Sequence, residues 1–305
     1  MDYEGRICRS PMERGAFMLP VAVGCAYNAC KFCDLFKDLK YRELPLEQIE
    51  AELFRVKCLG GNPERIFLGD GNAFGMKTER LLTITDLIHN YFPACHTIKM
   101  DATITNIRQK SNEELDKLQK AGIKELYLGI ESGLNDVLIF MRKDHNLEQA
   151  YEEIERLKQA GMDYAAHIMT GVAGAGRGIE NAEMTAQFLN RTQPKNIVNF
   201  SMFVHTYGPL FEDIKAKKFV PASELENIIE ERRLIELLEM EQSAYDGFHD
   251  CITYRVRGVL PKDKEKMLES LDKAIEKNRD KEERFAFTAE CCWKDGFKPL
   301  ESCPM

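Results

Sequence analysis

Short apolar runs and longer amphipathic segments alternate along the first two-thirds of the chain. A short apolar run predicts a buried strand, and apolar residues spaced three or four apart predict one face of a helix. The strands are predicted near 17–24, 65–69, 96–102, 125–130, 164–170 and 196–203. The helices are predicted at 46–59, 77–92, 111–122, 147–160 and 181–190. This repeated strand–helix order predicts parallel strands joined by crossover helices.

Glycines at the predicted helix ends support these boundaries. Gly60, Gly122 and Gly161 each follow a predicted helix, where a left-handed cap is common and glycine adopts it at least cost. The pattern predicts the α/β class and leaves two architectures open, a doubly wound sheet and a barrel or partial barrel. Both architectures place functional sites at the carboxyl ends of their strands.

The pattern changes after about residue 205. Two long helices are predicted at 224–243 and 262–277, and the segment between them contains no predicted strand. The last segment, 284–305, has no periodicity but contains Cys291, Cys292 and Cys303. We therefore expect a core at 1–205 and a helical C-terminal extension at 206–305, with a cysteine-bearing tail, packed on that core.

Composition and charge narrow the class of protein. The chain has 305 residues, of which 44% are hydrophobic and 30% charged, as expected for a globular protein with a sizeable core. Its formal net charge of -8 argues against nucleic acid as the main partner. No stretch approaches the roughly 18 apolar residues of a membrane helix, and the N-terminus lacks the apolar region of a signal peptide. We expect a cytoplasmic protein without a membrane partner.

Three cysteines directly after the first predicted strand carry the strongest chemical signal. Cys25, Cys30 and Cys33 have the spacing C-x4-C-x2-C. Three thiolates can ligate three irons of a [4Fe–4S] cluster, and because no fourth cysteine is near, the fourth iron would be open to a small molecule. A zinc site completed by Cys8, Cys58 or a distant histidine is an alternative. A disulfide framework is less consistent with reduced cytosolic thiols.

The ends of later predicted strands carry acidic, hydroxyl and glycine residues. The second strand ends with Gly69, Asp70 and Gly71, the fourth with Glu131 and Ser132, and the fifth leads into a glycine-rich turn at 171–176. A tight turn explains the first group equally well, and a helix N-cap explains Ser132. Because all three groups follow strands of one sheet, they indicate a ligand site beside the cysteine loop.

These motifs together resemble those of the radical S-adenosylmethionine (radical SAM) superfamily. The commonest spacing in that superfamily is C-x3-C-x-aromatic-C, so this chain has one extra residue in the first gap. It resembles the branch of elongator-type and coproporphyrinogen-oxidase-like radical enzymes, which has the longer gap. The similarity extends over roughly residues 15–270 and is carried by four segments: 24–33, 67–71, 127–133 and 258–264.

The resemblance implies a partial (β/α)6 TIM-like barrel and two cofactors, a [4Fe–4S] cluster and SAM. Cys25, Cys30 and Cys33 would ligate three irons, and the amine and carboxylate of SAM would chelate the fourth. The residues implied to contact SAM are Phe32, Gly69, Asp70, Gly71, Glu131, Ser132 and Gly171. Cleavage of SAM by one electron would yield methionine and a 5′-deoxyadenosyl radical that abstracts hydrogen from a substrate, which we expect to be a small organic molecule. An anaerobic setting is expected for such a cluster.

Further predictions concern partners and additional metal. Reduction of the cluster implies a ferredoxin or flavodoxin donor, and Lys31, Lys37, Lys40 and Arg42 are a candidate docking patch. The tail cysteines Cys291, Cys292 and Cys303 are candidate ligands of an auxiliary cluster. A non-catalytic iron–sulfur carrier or sensor is the alternative to an enzyme.

Overall fold

A computed structural model describes residues 9–206, 208–249, 254–281 and 284–286, and the backbone of 292–294 and 298–299. The strands are β1 Phe17–Pro20, β2 Ala22–Val23, β3 Arg42–Glu43, β4 Arg65–Gly69, β5 Thr97–Ala102, β6 Ile123–Glu131, β7 Asp163–Thr170, β8 Asn196–Ser201, β9 Ser243–His249, β10 Tyr254–Leu260, β11 Phe285–Ala286, β12 Cys292–Lys294 and β13 Lys298–Pro299. The α-helices are α1 Leu46–Cys58, α2 Thr78–Tyr91, α3 Ile104–Arg108, α4 Asn112–Lys120, α5 Asn135–Phe140, α6 Leu147–Gln159, α7 Gly178–Thr192, α8 Pro209–Lys215, α9 Glu224–Leu237 and α10 Lys264–Arg279.

Eight strands form the main sheet, in the order β1-β4-β5-β6-β7-β8-β9-β10. β4 pairs in parallel with β1 and with β5, and β5 pairs in parallel with β6. β8 and β9 are parallel, and β10 runs antiparallel to β9. The six predicted strands are therefore present in the predicted order, and the sheet is mostly parallel.

The segment between the two long C-terminal helices differs from the prediction. The helix expected at 224–243 ends at Leu237, and β9 and β10 follow where no strand was predicted. β9 contains Asp246 and Gly247, residue types that are depleted in strands. Its pairing with β8 and β10 outweighs this weak local preference.

Some helix boundaries have a clear local cause. Ser111 caps α4 with its side chain, and the backbone N–H of Ser111 donates to Glu114 Oε2 over 2.7 Å, which completes the predicted capping box. The glycines predicted to end three helices all have positive φ, namely Gly60, Gly122 and Gly161.

The chain folds as two compact units. The first comprises Met1–Ala29, Leu35–Gly129 and Glu148–Ala165, and the second comprises Cys30–Asp34, Ile130–Leu147 and Ala166–Met305. In the first unit, Lys99 Nζ lies 2.7 Å from a carboxylate oxygen of both Glu13 and Glu125, so one buried cation is shared by two acidic side chains. In the second unit, apolar side chains of α5, α8 and the loops beside β7 and β8 form a core cluster.

Candidate active site

The three cysteines lie in the loop 24–41 between β2 and β3, called here the cysteine loop. Cys25, Cys30 and Cys33 are all partly exposed. Cys58, at the end of α1, is exposed, and Cys95 is buried. Within residues the structure describes, no three His, Cys, Asp or Glu side chains converge as ligands of a single metal ion.

In the first unit, the turn after β4 packs against the start of the cysteine loop. A Cβ built on Gly71 would lie 2.5 Å from the Gly24 carbonyl oxygen, and Gly71 has φ of +45°. The Val21 N–H donates to the Gly69 carbonyl over 2.5 Å. Only glycine combines this backbone conformation with such a close approach, so the structure explains why residue 71 is a glycine.

Asn72, which follows this motif, has a buried side-chain amide with no hydrogen-bond partner among the residues that the structure describes. Its side chain is 1% exposed, and neither amide atom makes a hydrogen bond. A Cβ built on Gly75 would lie 3.6 Å from Asn72 Nδ2 and 3.7 Å from Ala26 Cβ, which places the amide near the cysteine loop. Because an unsatisfied buried amide costs free energy, Asn72 fits a site for a polar ligand.

Two carboxyl groups give the same end of the first unit a negative potential. Asp70 is buried, and Asp101 lies at the end of the neighbouring strand β5. Burial and the negative charge of Asp70 raise the pKa of Asp101 to about 8. A cationic group bound here would relieve the repulsion between the two carboxyl groups.

In the second unit, Lys31 fastens the Cys30–Asp34 segment to α5 and α8. The Lys31 N–H donates to the Met141 carbonyl over 3.0 Å, and its own carbonyl accepts from the Leu210 N–H over 3.3 Å. Lys31 Nζ pairs with Asp213 at 2.7 Å and lies 3.9 Å from the centroid of the Phe140 ring. Lys31 is thus largely buried and ion-paired, so the prediction that it belongs to a docking patch is wrong.

Glu131 and Lys143 form a buried ion pair beside this segment. Lys143 Nζ lies 3.1 Å from Glu131 Oε1 and 5.9 Å from the centroid of the Phe32 ring. Burial lowers the pKa of Lys143, but the negative charges of Glu131, Cys30 and Asp144 outweigh it and raise the pKa above its ordinary value. Lys143 is therefore a fixed cation near one cysteine of the triplet.

Ser132 and Gly171 are held by polar side chains of two helices. Ser132 is fully buried, and its hydroxyl donates to Asn181 Oδ1 over 2.5 Å. Gly171 has φ of +81°, and its N–H donates to Glu230 Oε2 over 2.9 Å. The sequence singled out neither Asn181 nor Glu230, because both lie within amphipathic helices where a polar residue carries no special signal.

The three tail cysteines are the candidate ligands of an auxiliary cluster. Cys291 and Cys303 lie outside the described residues, and for Cys292 only the backbone, in β12, is described. The auxiliary cluster stays a prediction.

The structure is a mostly parallel α/β fold with three cysteines in one loop, and comparison with known proteins identifies the family. The pattern of the Radical SAM superfamily matches residues 19–189. The chain belongs to this superfamily, whose cofactors are a [4Fe–4S] cluster and SAM, and it is a radical SAM enzyme. The expected superfamily and branch are confirmed.

Two relatives of this chain extend well beyond the matched region. The heme chaperone HemW of Bacillus subtilis is 24% identical over 48% of this chain and 40% of its own length. A tRNA uridine(34) acetyltransferase of Methanocaldococcus infernus is 25% identical over 39% of this chain and 22% of its own length. The chain therefore matches less than half of either relative.

A solved structure of methylornithine synthase (PylB) shows the same fold. Its TM-score is 0.53 at 18% identity, and the match covers 74% of this chain and 63% of that one. The TIM-barrel-like α/β prediction is confirmed at this level. Among the described helices, none has the length and hydrophobicity needed to span a bilayer.

Proposed function

We propose that Cys25, Cys30 and Cys33 bind the cluster, and that the chain uses it with SAM to abstract hydrogen from a small organic substrate. When bound, the two cofactors supply reductive cleavage of SAM to methionine and a 5′-deoxyadenosyl radical. The observation that carries the proposal is the cysteine loop itself: Gly71 packs against its start, and Lys31 fastens its second half.

The residues around the loop have charges that suit the two ends of SAM. Asp70 offers negative charge to its ammonium and sulfonium groups, Asp101 would ionise beside a bound cation, and the backbone at Gly69–Gly71 offers carbonyl acceptors. Lys143 is a buried cation suited to the methionine carboxylate, and Glu131 is held beside it. The first unit therefore offers groups that match the cationic groups of SAM, and the second unit offers a cation that matches its carboxylate.

Phe32 supports an apolar surface near the same segment. Its ring packs against a buried cluster that includes Val137, Met141 and Leu210. We propose that Phe32 contacts the adenine of SAM, since an aromatic ring stacks well on a base. Such packing would also keep water away from a reactive radical.

The substrate class is proposed from charge. The relatives include a tRNA acetyltransferase and a heme chaperone, but this chain matches only parts of them. Its net charge of -8 is unfavourable for a polyanionic substrate such as tRNA. We therefore favour a small organic substrate, with a non-catalytic iron–sulfur carrier or sensor as the alternative.

The test is anaerobic production of 5′-deoxyadenosine. Wild type, Cys30→Ala and the control Cys58→Ala would be reconstituted with iron and sulfide, reduced with dithionite and given SAM. We expect 5′-deoxyadenosine, detected by mass spectrometry, from wild type and Cys58→Ala only. A fully loaded and demonstrably reduced wild type that yields none would contradict the proposal and favour the carrier. A colourless protein with one tightly bound zinc would instead support the zinc alternative.

The same preparations test the auxiliary cluster. One cluster gives about four irons per chain and two give about eight, because each cube holds four. We expect a value near eight only if the tail cysteines bind metal, and a value near four would dismiss the auxiliary site.

A further inference from the structure

A chain of buried hydrogen bonds joins the ends of β6 and β7 to helices α7 and α9. Ser132 Oγ donates to Asn181 Oδ1, and Asn181 Nδ2 donates to Glu230 Oε1 over 2.6 Å. Glu230 Oε2 accepts the Gly171 N–H. One side chain on α9 is thus bonded to the backbone after β7 and, through Asn181, to the hydroxyl after β6.

The backbone around Ser132 is held by the same elements. The Leu134 N–H donates to Ser132 Oγ over 3.1 Å, and the Gly133 N–H donates to Thr185 Oγ1 on α7 over 2.9 Å. A Cβ on Gly133 would lie 2.2 Å from the Met184 carbonyl carbon, so this turn sits directly on the helix. Ser132 therefore orients a turn rather than offering its hydroxyl to solvent.

The backbone at Gly171 is equally constrained. Besides its bond to Glu230, a Cβ on Gly171 would lie 2.5 Å from Asn227 Oδ1, which belongs to α9. A Cβ on Gly178, at the start of α7, would lie 2.9 Å from Glu230 Oε2. The glycine-rich turn after β7 thus rests on two polar side chains of α9.

These side chains also border a small pocket. Glu131, Thr170, Asn181, Thr185, Asn199 and Glu230 supply its polar lining, and its volume of about 10 Å³ is close to that needed by one water molecule. Glu131, proposed above to contact SAM, is among them. The hydrogen-bonded side chains on the helices and the proposed SAM-contacting residue therefore face one cavity.

We infer that Asn181 and Glu230 are positioning residues, which hold the turns at Glu131–Ser132 and Thr170–Gly171 in the conformation that binds SAM. This inference rests on the proposed function. If the inference is correct, α9 contributes to the affinity for SAM although it lies outside the segment that the family pattern matches. Neither residue touches the cysteines in this arrangement of bonds, so cluster loading should not depend on them.

The test compares SAM affinity with stability. Glu230→Ala and Asn181→Ala each leave buried partners unsatisfied, so we expect SAM to bind at least roughly tenfold more weakly to the cluster-loaded protein. Iron content should match wild type. Glu230→Gln should stay within about threefold of wild type, because an amide can replace both bonds if the Asn181 amide turns over. Equilibrium dialysis with labelled SAM gives the dissociation constants.

Asn190 provides a matched control. It lies on the same helix as Asn181 and joins α7 to the end of α9, with Nδ2 donating to the Leu237 carbonyl over 2.9 Å and Oδ1 accepting from the Glu239 N–H over 2.8 Å. Asn190→Ala should lower the melting temperature but leave SAM affinity unchanged. Equal SAM affinity in Asn181→Ala, Asn190→Ala and wild type would overturn the inference.

Two outcomes separate this inference from the proposed function. If wild type loads its cluster but does not bind SAM, the proposed function fails and this inference fails with it. If wild type binds and cleaves SAM but Glu230→Ala binds it equally well, only the inference fails. Should the alanine variants not fold, Thr185→Val decides: weaker SAM binding with full iron supports the inference, and unchanged binding overturns it.

Discussion

Gly71 is the residue at which the turn after β4 comes closest to the cysteine loop. Its φ is positive and the Gly24 carbonyl occupies the space that a Cβ would need. Gly60, at the end of α1, has φ of +79° but nothing within 4 Å of a built Cβ. Replacing Gly60 therefore tests the cost of the backbone conformation alone, whereas replacing Gly71 adds the cost of a steric clash.

We expect Gly71→Ala to lower the free energy of unfolding by about 2–5 kcal/mol and to reduce iron content, because strain and overpacking add. Gly60→Ala should cost only about 1–2 kcal/mol, with full iron. Denaturant titrations and iron assays of both variants give the comparison. Equal losses in the two would mean that the contact with Gly24 is unimportant.

Sequence reasoning reached the glycines and cysteines because their chemistry is local. The turn at Gly69–Gly71 and the triplet both stand in short, unusual stretches of sequence. Asn72 and Lys143 escaped notice, because their roles depend on burial and on neighbours distant in the chain. The cation of Lys31 was assigned to a docking patch, since sequence shows charge but not the Asp213 carboxylate that pairs with it.

At the scale of elements, α8 matters because it supplies Asp213 and the Leu210 N–H to Lys31. The Lys31–Asp213 pair has side-chain exposures of 13% and 17%, whereas the Lys215–Glu212 pair on the same helix has 52% and 69%. A buried ion pair depends much more on its partner than an exposed one does. α8 thus offers both a test pair and a control.

We expect Lys31→Ala to weaken cluster retention by about 1–3 kcal/mol, because it removes a charged hydrogen bond and the contact with the Phe140 ring. The rate of iron release to a chelator, measured anaerobically, reports this loss. Asp213→Asn should act in the same direction. Lys215→Ala should release iron at the wild-type rate, and faster release there would show that general loosening of α8 is the cause.

The order of strands and helices was predictable up to β8 because hydrophobic periodicity and glycine stops agree there. β9 and β10 were not predicted from the sequence. Asp246 and Gly247 are residue types that are depleted in strands, so they conceal the strand pattern of β9, and β10 has exposed charged residues. Arg255 and Arg257 on β10 both pair with Asp246 on β9. These cross-strand pairs are visible only once the register is known.

At the scale of the whole molecule, the chain has a net charge of -8, and we propose that its electron donor is an acidic flavodoxin or ferredoxin. Two lysines of the cysteine loop already have partners. Lys31 forms an ion pair with Asp213, and Lys37 Nζ donates to the Asn28 carbonyl over 2.5 Å. Lys40 is exposed in the same loop. Lys40 and Arg42, which is exposed on β3, are the remaining candidate cations for docking.

We expect Lys40→Glu to slow reduction by flavodoxin roughly threefold at low ionic strength and to flatten the salt dependence. Lys266→Glu, on exposed α10, changes the net charge equally and should have little effect. Stopped-flow absorbance measures both rates. If the two variants slow reduction alike, the local docking role of Lys40 is refuted.

Stability should depend on pH through His249. Burial lowers its pKa, but hydrogen bonds to Glu224 and Glu231 outweigh it and raise the pKa to about 10. Glu231 also accepts from Tyr245, and the charge of His249 acts on Glu230. Because the folded pKa is above the unfolded value of about 6.5, the stabilisation is complete below that pH and is lost as pH rises towards 10.

We expect wild type to lose up to about 4–5 kcal/mol of this contribution between pH 6.5 and 10, because each unit of pKa shift corresponds to about 1.4 kcal/mol. His249→Gln should be less stable near pH 6 and should show a flatter profile. Anaerobic urea titrations across this range give both curves, and parallel curves would contradict the assignment.

The raised pKa of Asp101 has a consequence for how binding exchanges protons with the solvent. Near neutral pH this carboxyl is largely protonated, since its pKa is about 8. A cation bound beside Asp70 and Asp101 favours the ionised form, so SAM should expel a proton as it binds. The calorimetric heat of SAM binding at pH 7 would then vary with the ionisation enthalpy of the buffer, and Asp101→Asn would remove that variation.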